Sequence, residues 1–138
     1  MRIGRIVLTS FVLLSLCACS YWRQWNAKSD FEKSSKGYNR MVRWQEQEQA
    51  CLLYVDKAIR DEFLTRVAAA KEVKIADYRI KTLECEEDKK NATAMVEMDY
   101  YIPPSTKVKT LQDVQKWKYV EDDEVIGWRL ISLFPEFK

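Results

Sequence analysis

Outside its acids and tyrosines, the most reactive groups of this chain are four cysteines, Cys17, Cys19, Cys51 and Cys85; histidine does not occur. Without histidine there is no histidine general base, no Ser-His-Asp triad and no imidazole metal site. Asp, Glu and Tyr remain for proton transfer, but no spacing of them assigns a catalytic residue, a metal ligand or a cofactor. Cys51 and Cys85 have no C-x-x-C spacing, which argues against thiol oxidoreductase chemistry. Outside the cytoplasm this pair can oxidise. Closing the roughly 35-residue loop between them would stabilise the fold by about 3 to 4 kcal/mol in the chain-entropy model. Two buried thiols are the other reading, because cysteine is among the most buried residue types. The sequence leaves both open.

Cys17 and Cys19 sit differently, in "LLSLCACSYW". Before them come a basic start with Arg2 and Arg5, then the apolar run Ile6 to Leu16, broken only by Thr9 and Ser10. A basic start, a short apolar core and a small-residue exit form the layout of a secretory signal. The run is shorter than the roughly 20 residues needed to span a bilayer. The tetrapeptide "LCAC", Leu16 to Cys19, resembles the lipobox of bacterial lipoproteins. That resemblance implies lipidation of Cys19, with Ala18 at the small position before the cut; Leu16 is too bulky for Cys17 to play this part. Ser20 resembles the outer-membrane-directed pattern of diderm bacteria. The expectation is a signal peptide over 1–18 and a lipidated tether over 19–28, followed by one domain over 29–138. The protein would be held in the bacterial cell envelope, on the outer membrane facing the periplasm. In the tether, Trp22 and Trp25 suit the lipid headgroup zone or a seat on the domain.

Loss of the leader changes the electrostatics. The chain carries 23 Lys plus Arg against 21 Asp plus Glu, and Arg2 and Arg5 leave with the leader, so the balance becomes 21 against 21. A neutral domain lacks the basic excess that nucleic-acid binding requires. The remaining 120 residues suffice for one domain with a core.

Helices come first. "SDFE" from Ser29 is a capping-box pattern and predicts a helix to about Glu48 with Phe31, Tyr38, Met41 and Val42 inward, weakened by Gly37. From Cys51, Leu52, Val55, Ile59, Phe63 and Val67 recur at helical spacing, as one bent helix or as two separated near Asp56. After Ala70 the period becomes two. "VKIADYRIKTLEC" slips phase twice, from Ile75 to Tyr78 and from Ile80 to Leu83, which predicts bulges or bends. Ala92, Ala94, Val96, Met98, Tyr100 and Ile102 predict an uninterrupted strand. Further strands are expected around Lys107 to Leu111, Lys116 to Val120 and Val125 to Ser132, the last two joined by the turn "EDDE", with Phe134 and Phe137 packing back. The fold class is α+β: N-terminal helices on a strongly curved, cone-like antiparallel sheet.

The order of elements, with "EVKIADYRI", "ATAMVEMDYYIPP" and "KWKYVEDDEVIGWRLIS", resembles the nuclear transport factor two-like superfamily, which contains ketosteroid isomerase-like and polyketide cyclase-like enzymes, ligand binders and envelope assembly domains. The resemblance implies a cone whose enzymatic members carry an acid or a tyrosine inside, for which Asp77, Asp99 and Tyr100 are the natural candidates here. Alternation turns Asp99 outward with Glu97 if Met98 and Tyr100 face the core, and no catalytic residue of the family maps onto this chain. Phe63, Tyr78, Tyr100, Trp117 and Trp128 would either line a pocket for a small apolar ligand or fill the core. The expected function is a non-enzymatic interaction or assembly module with an envelope protein partner. The alternative is a cone-pocket protein that binds or isomerises a small apolar molecule.

Overall fold

Helical periodicity gives way to alternation after Ala70, and the structure divides there. A computed structural model describes residues 26–88 and 90–138. The leader, Cys17, Cys19, Ser20, Trp22 and Trp25 lie outside the described residues.

Helix α1 covers described residues 26–43. Phe31, Ser35, Tyr38, Asn39 and Val42 form its buried stripe, with Met41 only partly covered. The helix already includes 26–28, so Ser29 is not its cap, and three residues read as tether belong to it. The indole N–H of Trp128 donates to the Ala27 carbonyl at 3.1 Å and holds this turn against the sheet. At its other end α1 stops at residue 43, short of the expected Glu48. Gln45 takes φ 64°, Glu46 N–H returns to Met41 O at 2.9 Å and Gln45 N–H to Val42 O at 3.2 Å. This is a Schellman closure, hidden in the sequence because glutamine, not glycine, holds the left-handed position.

Two helices follow, not one. α2 spans Gln47–Tyr54 and α3 spans Arg60–Ala69, separated at Val55 and Asp56. The Asp56 carboxylate caps the short 3-10 turn Lys57–Ile59 through Ala58 N–H. The break rotates the stripe: α2 buries Ala50 and Cys51, and Leu52, expected inward, is 58% exposed. Gly37 has a packing role as well as a helical cost, since a Cβ there would overlap the Tyr54 hydroxyl.

The sheet contains β1 (Lys74–Cys85), β2 (Asn91–Tyr101), β3 (Lys109–Glu121) and β4 (Ile126–Leu130). It is antiparallel in the order β1-β2-β3-β4 and is not closed. Both phase slips in β1 are register shifts, between Ile75 and Asp77 and between Ile80 and Thr82. Each extra residue restores the next apolar side chain to the helix-covered face. β2 alternates without a fault. The two segments expected near 107–111 and 116–120 are one strand, β3, paired to β2 from Lys109 to Lys118. "EDDE" is the hairpin turn, where Asp122 Oδ1 accepts from Glu124 N–H and Val125 N–H. Phe134 and Phe137 return to the core, Phe134 against Phe63 at 5.5 Å and Phe137 against Tyr100 at 4.9 Å.

Candidate functional site

Because β3 is continuous, its parity follows from Trp117: Leu111, Asp113, Gln115 and Tyr119 share the helix-covered face. Asp113 and Gln115 are thereby carried under α1 into an otherwise apolar core. Asp113 is 7% exposed, and Gln115, Asn39 and Ser35 are buried.

The four polar residues form a chain of hydrogen bonds. Gln115 Nε2 donates to Asp113 Oδ2 at 2.9 Å and to Asn39 Oδ1 at 2.8 Å. Asn39 Nδ2 donates to Gln115 Oε1 at 3.1 Å and to the Ser35 carbonyl one turn earlier at 2.8 Å. A side-chain amide has two N–H donors, so both amides are fully used. The carboxylate is the least buried end of this chain, and a single hydrogen bond compensates little of its desolvation. Burial pushes the Asp113 carboxyl up to about 6, against the opposing pull of the Gln115 hydrogen bond. The Tyr38 phenol is raised well above its ordinary value, first by burial, then by the charge of Asp113 and by Cys51. Asp113 is therefore an acid able to hold or release a proton near neutrality, with Tyr38 as a neutral neighbour.

Aromatic side chains pack against one another between α1 and the sheet. Phe31 lies 5.9 Å from Trp117 and 5.2 Å from Trp128, and Tyr38 lies 5.8 Å from Trp117, as ring centroids. The Trp117 indole N–H is buried without a hydrogen-bond partner among the described residues. Of the five aromatic residues considered for a pocket, Phe63, Trp117 and Trp128 are packed into this core. Tyr100 is buried beside Phe137, and its hydroxyl donates to the Lys138 main-chain oxygen at 2.6 Å. Tyr78 packs against the edge of the core and also lines an open groove with Tyr54, Lys33, Lys36 and Arg40. A wider groove of about 840 Å³ separates the start of α2 from the end of α3 and takes in the exposed Leu52.

Asp77 and Asp99 lie outside the core. Arg79 bridges Asp99 at 2.6 Å and Glu97 at 3.3 Å, and Thr110 Oγ1 donates to Asp99 at 2.7 Å. Hydrogen bonds from Arg79 and Thr110 hold the Asp99 carboxyl at about 2. Such an acid stays ionised at neutral pH, paired with Arg79. Cys51 is buried and Cys85 half-buried, each without a disulfide in the structure; burial raises both thiols. Among the described residues no group of three His, Cys, Asp or Glu is placed to hold a metal ion, and no helix is long and apolar enough to cross a membrane.

Asp113, Gln115, Asn39 and Ser35 were not singled out by the sequence. The missed signal was parity: with β3 uninterrupted, counting back from Trp117 by twos reaches Gln115 and Asp113. No family model, curated protein or solved structure matches the chain.

Proposed function

We propose that the chain is a lipid-anchored protein of the bacterial envelope whose domain works through its outer surface as a non-enzymatic interaction or assembly module. Cys19 in "LCAC" carries the anchor, and outer-membrane attachment facing the periplasm follows from Ser20. The single observation that carries the module reading is the filled interior: Phe31, Tyr38, Phe63, Trp117 and Trp128 close the space between helices and sheet. A cone-like sheet of the nuclear transport factor two-like kind is the finer fold reading within this proposal. The two bulges of β1 support it, because bulges bend a strand and sharpen its twist.

Acyl chains stabilise membrane association by about 0.8 kcal/mol per buried methylene, and two or more chains hold firmly. Cys19→Ala is therefore expected to release the protein from membranes, and the wild-type chain should bring an envelope protein with it when captured from solubilised membranes. A variant that stays membrane-bound and unprocessed removes the anchor; repeated recovery of the chain alone removes the module.

A second reading, binding or isomerisation of a small apolar molecule, rests on Asp113. A general base near neutrality inside an apolar site suits proton abstraction. It requires Trp117 or Phe31 to move aside. Perturbation of the Trp117 or Trp128 environment by an apolar ligand, abolished in Asp113→Asn, would favour it over the first reading.

A further inference from the structure

Main-chain N–H and C=O groups in a strand need partners, and part of β3 lacks them among the described residues. Two hydrogen bonds fix which way each residue of this strand points. Ile131 N–H donates to Lys116 O at 2.8 Å on the β4 side, and Tyr119 N–H donates to Lys90 O at 2.7 Å on the β2 side. Even-numbered residues thus aim their main-chain groups at the β4 side, and β4 pairs only with Trp117 to Glu121. Thr110, Gln112 and Val114 present theirs beyond the end of β4, where no main-chain hydrogen bond from a described residue reaches them. All three residues are exposed.

The sheet's other margins are managed. β1 carries two bulges, which spoil it as a template. The outer side of β4 is covered by the joint between α2 and α3: Val55 bridges Leu130, Asp56 N–H donates to Leu130 O at 2.9 Å, and Arg129 donates to Leu53 O at 2.6 Å. The open part of β3 has no bulge in its pairing with β2, and it is flanked by Val108 and Val114, 55% and 47% exposed. An unprotected strand edge of this kind pairs with another strand.

We propose that this edge pairs with the same edge of a second copy of the chain, antiparallel and two-fold about Gln112. In that register Gln112 meets Gln112 of the second copy and Thr110 meets Val114 on the outer face, with Leu111 meeting Asp113 underneath; pairing stops short of Lys116, whose main chain is taken by Ile131 and Ser132 of its own chain. Each of the three pairs formed by Thr110, Gln112 and Val114 exchanges both N–H···O bonds, and no like charges stand opposite one another, which would be destabilising. Between Thr110 and Val114 the only charged side chain is Asp113, which is turned under the sheet. The edge therefore offers nothing to select a charged foreign peptide, whereas it complements itself. With one such edge among the described residues, pairing closes after two copies and extends one sheet across both. This goes beyond the anchored-module reading and does not depend on the lipid.

The test uses the full chain, produced with its leader and extracted from cells in mild detergent. Residues in a hydrogen-bonded antiparallel pair have Cα atoms about 5.5 Å apart, within disulfide range. Gln112→Cys should give a disulfide-linked pair of chains under mild oxidation, above the background set by the native thiols. Thr110→Cys and Val114→Cys should each fail alone and link when the two variants are mixed. Gln112→Pro removes an outward N–H, which an edge tolerates, and an exposed side-chain contact to Met95 Sδ; it should weaken self-association by about tenfold or more, whereas Gln112→Ala, which loses the same contact but keeps the N–H, should not. The proposal is overturned if Gln112→Cys melts normally yet links no better than wild type. It is equally overturned if the new cysteine links within its own chain, which would mean that the chain covers its own edge, or if it links to a different protein.

Discussion

Gln115 divides its amide hydrogens between Asp113 on its own strand, at 2.9 Å, and Asn39 on α1, at 2.8 Å. One side chain thus ties the only buried acid among the described residues to the helix that covers it. The donation favours the ionised carboxylate, and burial disfavours it by more, which is why the Asp113 carboxyl stands near 6.

This asymmetry sets a pH dependence. The folded carboxyl binds its proton more tightly than an unfolded Asp, so Asp113 favours the folded state when protonated. Its contribution falls as pH rises from about 4 to about 6 and is flat above. Asp113→Asn removes the buried charge and keeps an acceptor for Gln115. The variant should be more stable than wild type at pH 8, by an amount on the order of 2 kcal/mol, and should lose this advantage below about pH 4. Urea unfolding of both proteins at the two pH values measures it; an advantage of the same size at both would place the effect outside the ionisation of Asp113.

Asn39 and Gln115 act as one unit. Removing either amide leaves buried partners of the other unmet, at a cost of about 1 to 3 kcal/mol. Asn39→Leu and Gln115→Leu should each destabilise the protein, and the double variant should fall short of their sum by at least about 0.5 kcal/mol. A denaturation cycle that is additive would show the two amides to be energetically independent.

Gly37 should resist substitution although it lies within a helix. Alanine gains about 1 kcal/mol in an exposed helix interior, but here its Cβ overlaps the Tyr54 hydroxyl. Overpacking of this kind costs about 1 to 3 kcal/mol, so Gly37→Ala is expected to lower the melting temperature. In a Tyr54→Phe background, where the hydroxyl is gone, the same change should cost less. Equal penalties in the two backgrounds would rule out the hydroxyl as the obstacle.

The strands were legible where burial alternates cleanly. β2 could be read directly because each second residue is apolar, and the double slip of "VKIADYRIKTLEC" marked both bulges of β1, since an inserted residue is the one way to keep successive apolar side chains on one face. Helix ends were less legible. The Schellman closure at Gln45 uses a residue with no glycine signature, and the early start of α1 depends on Trp128, a hundred residues downstream.

By itself the sequence determined the order of helices before strands, the phase of β1 and β2, the turn at Asp122 and the return of Phe134 and Phe137, because each follows from local periodicity or from a side chain bonding its own backbone. Only the tertiary structure decided that two expected strands are one, that Leu52 faces out, and that Asp113 lies under α1 beside Gln115. Those outcomes depend on which distant surfaces meet. Local pattern gives a polar residue's side of a strand, but what covers that side, and so its solvation and its pKa, is set by elements remote in the chain.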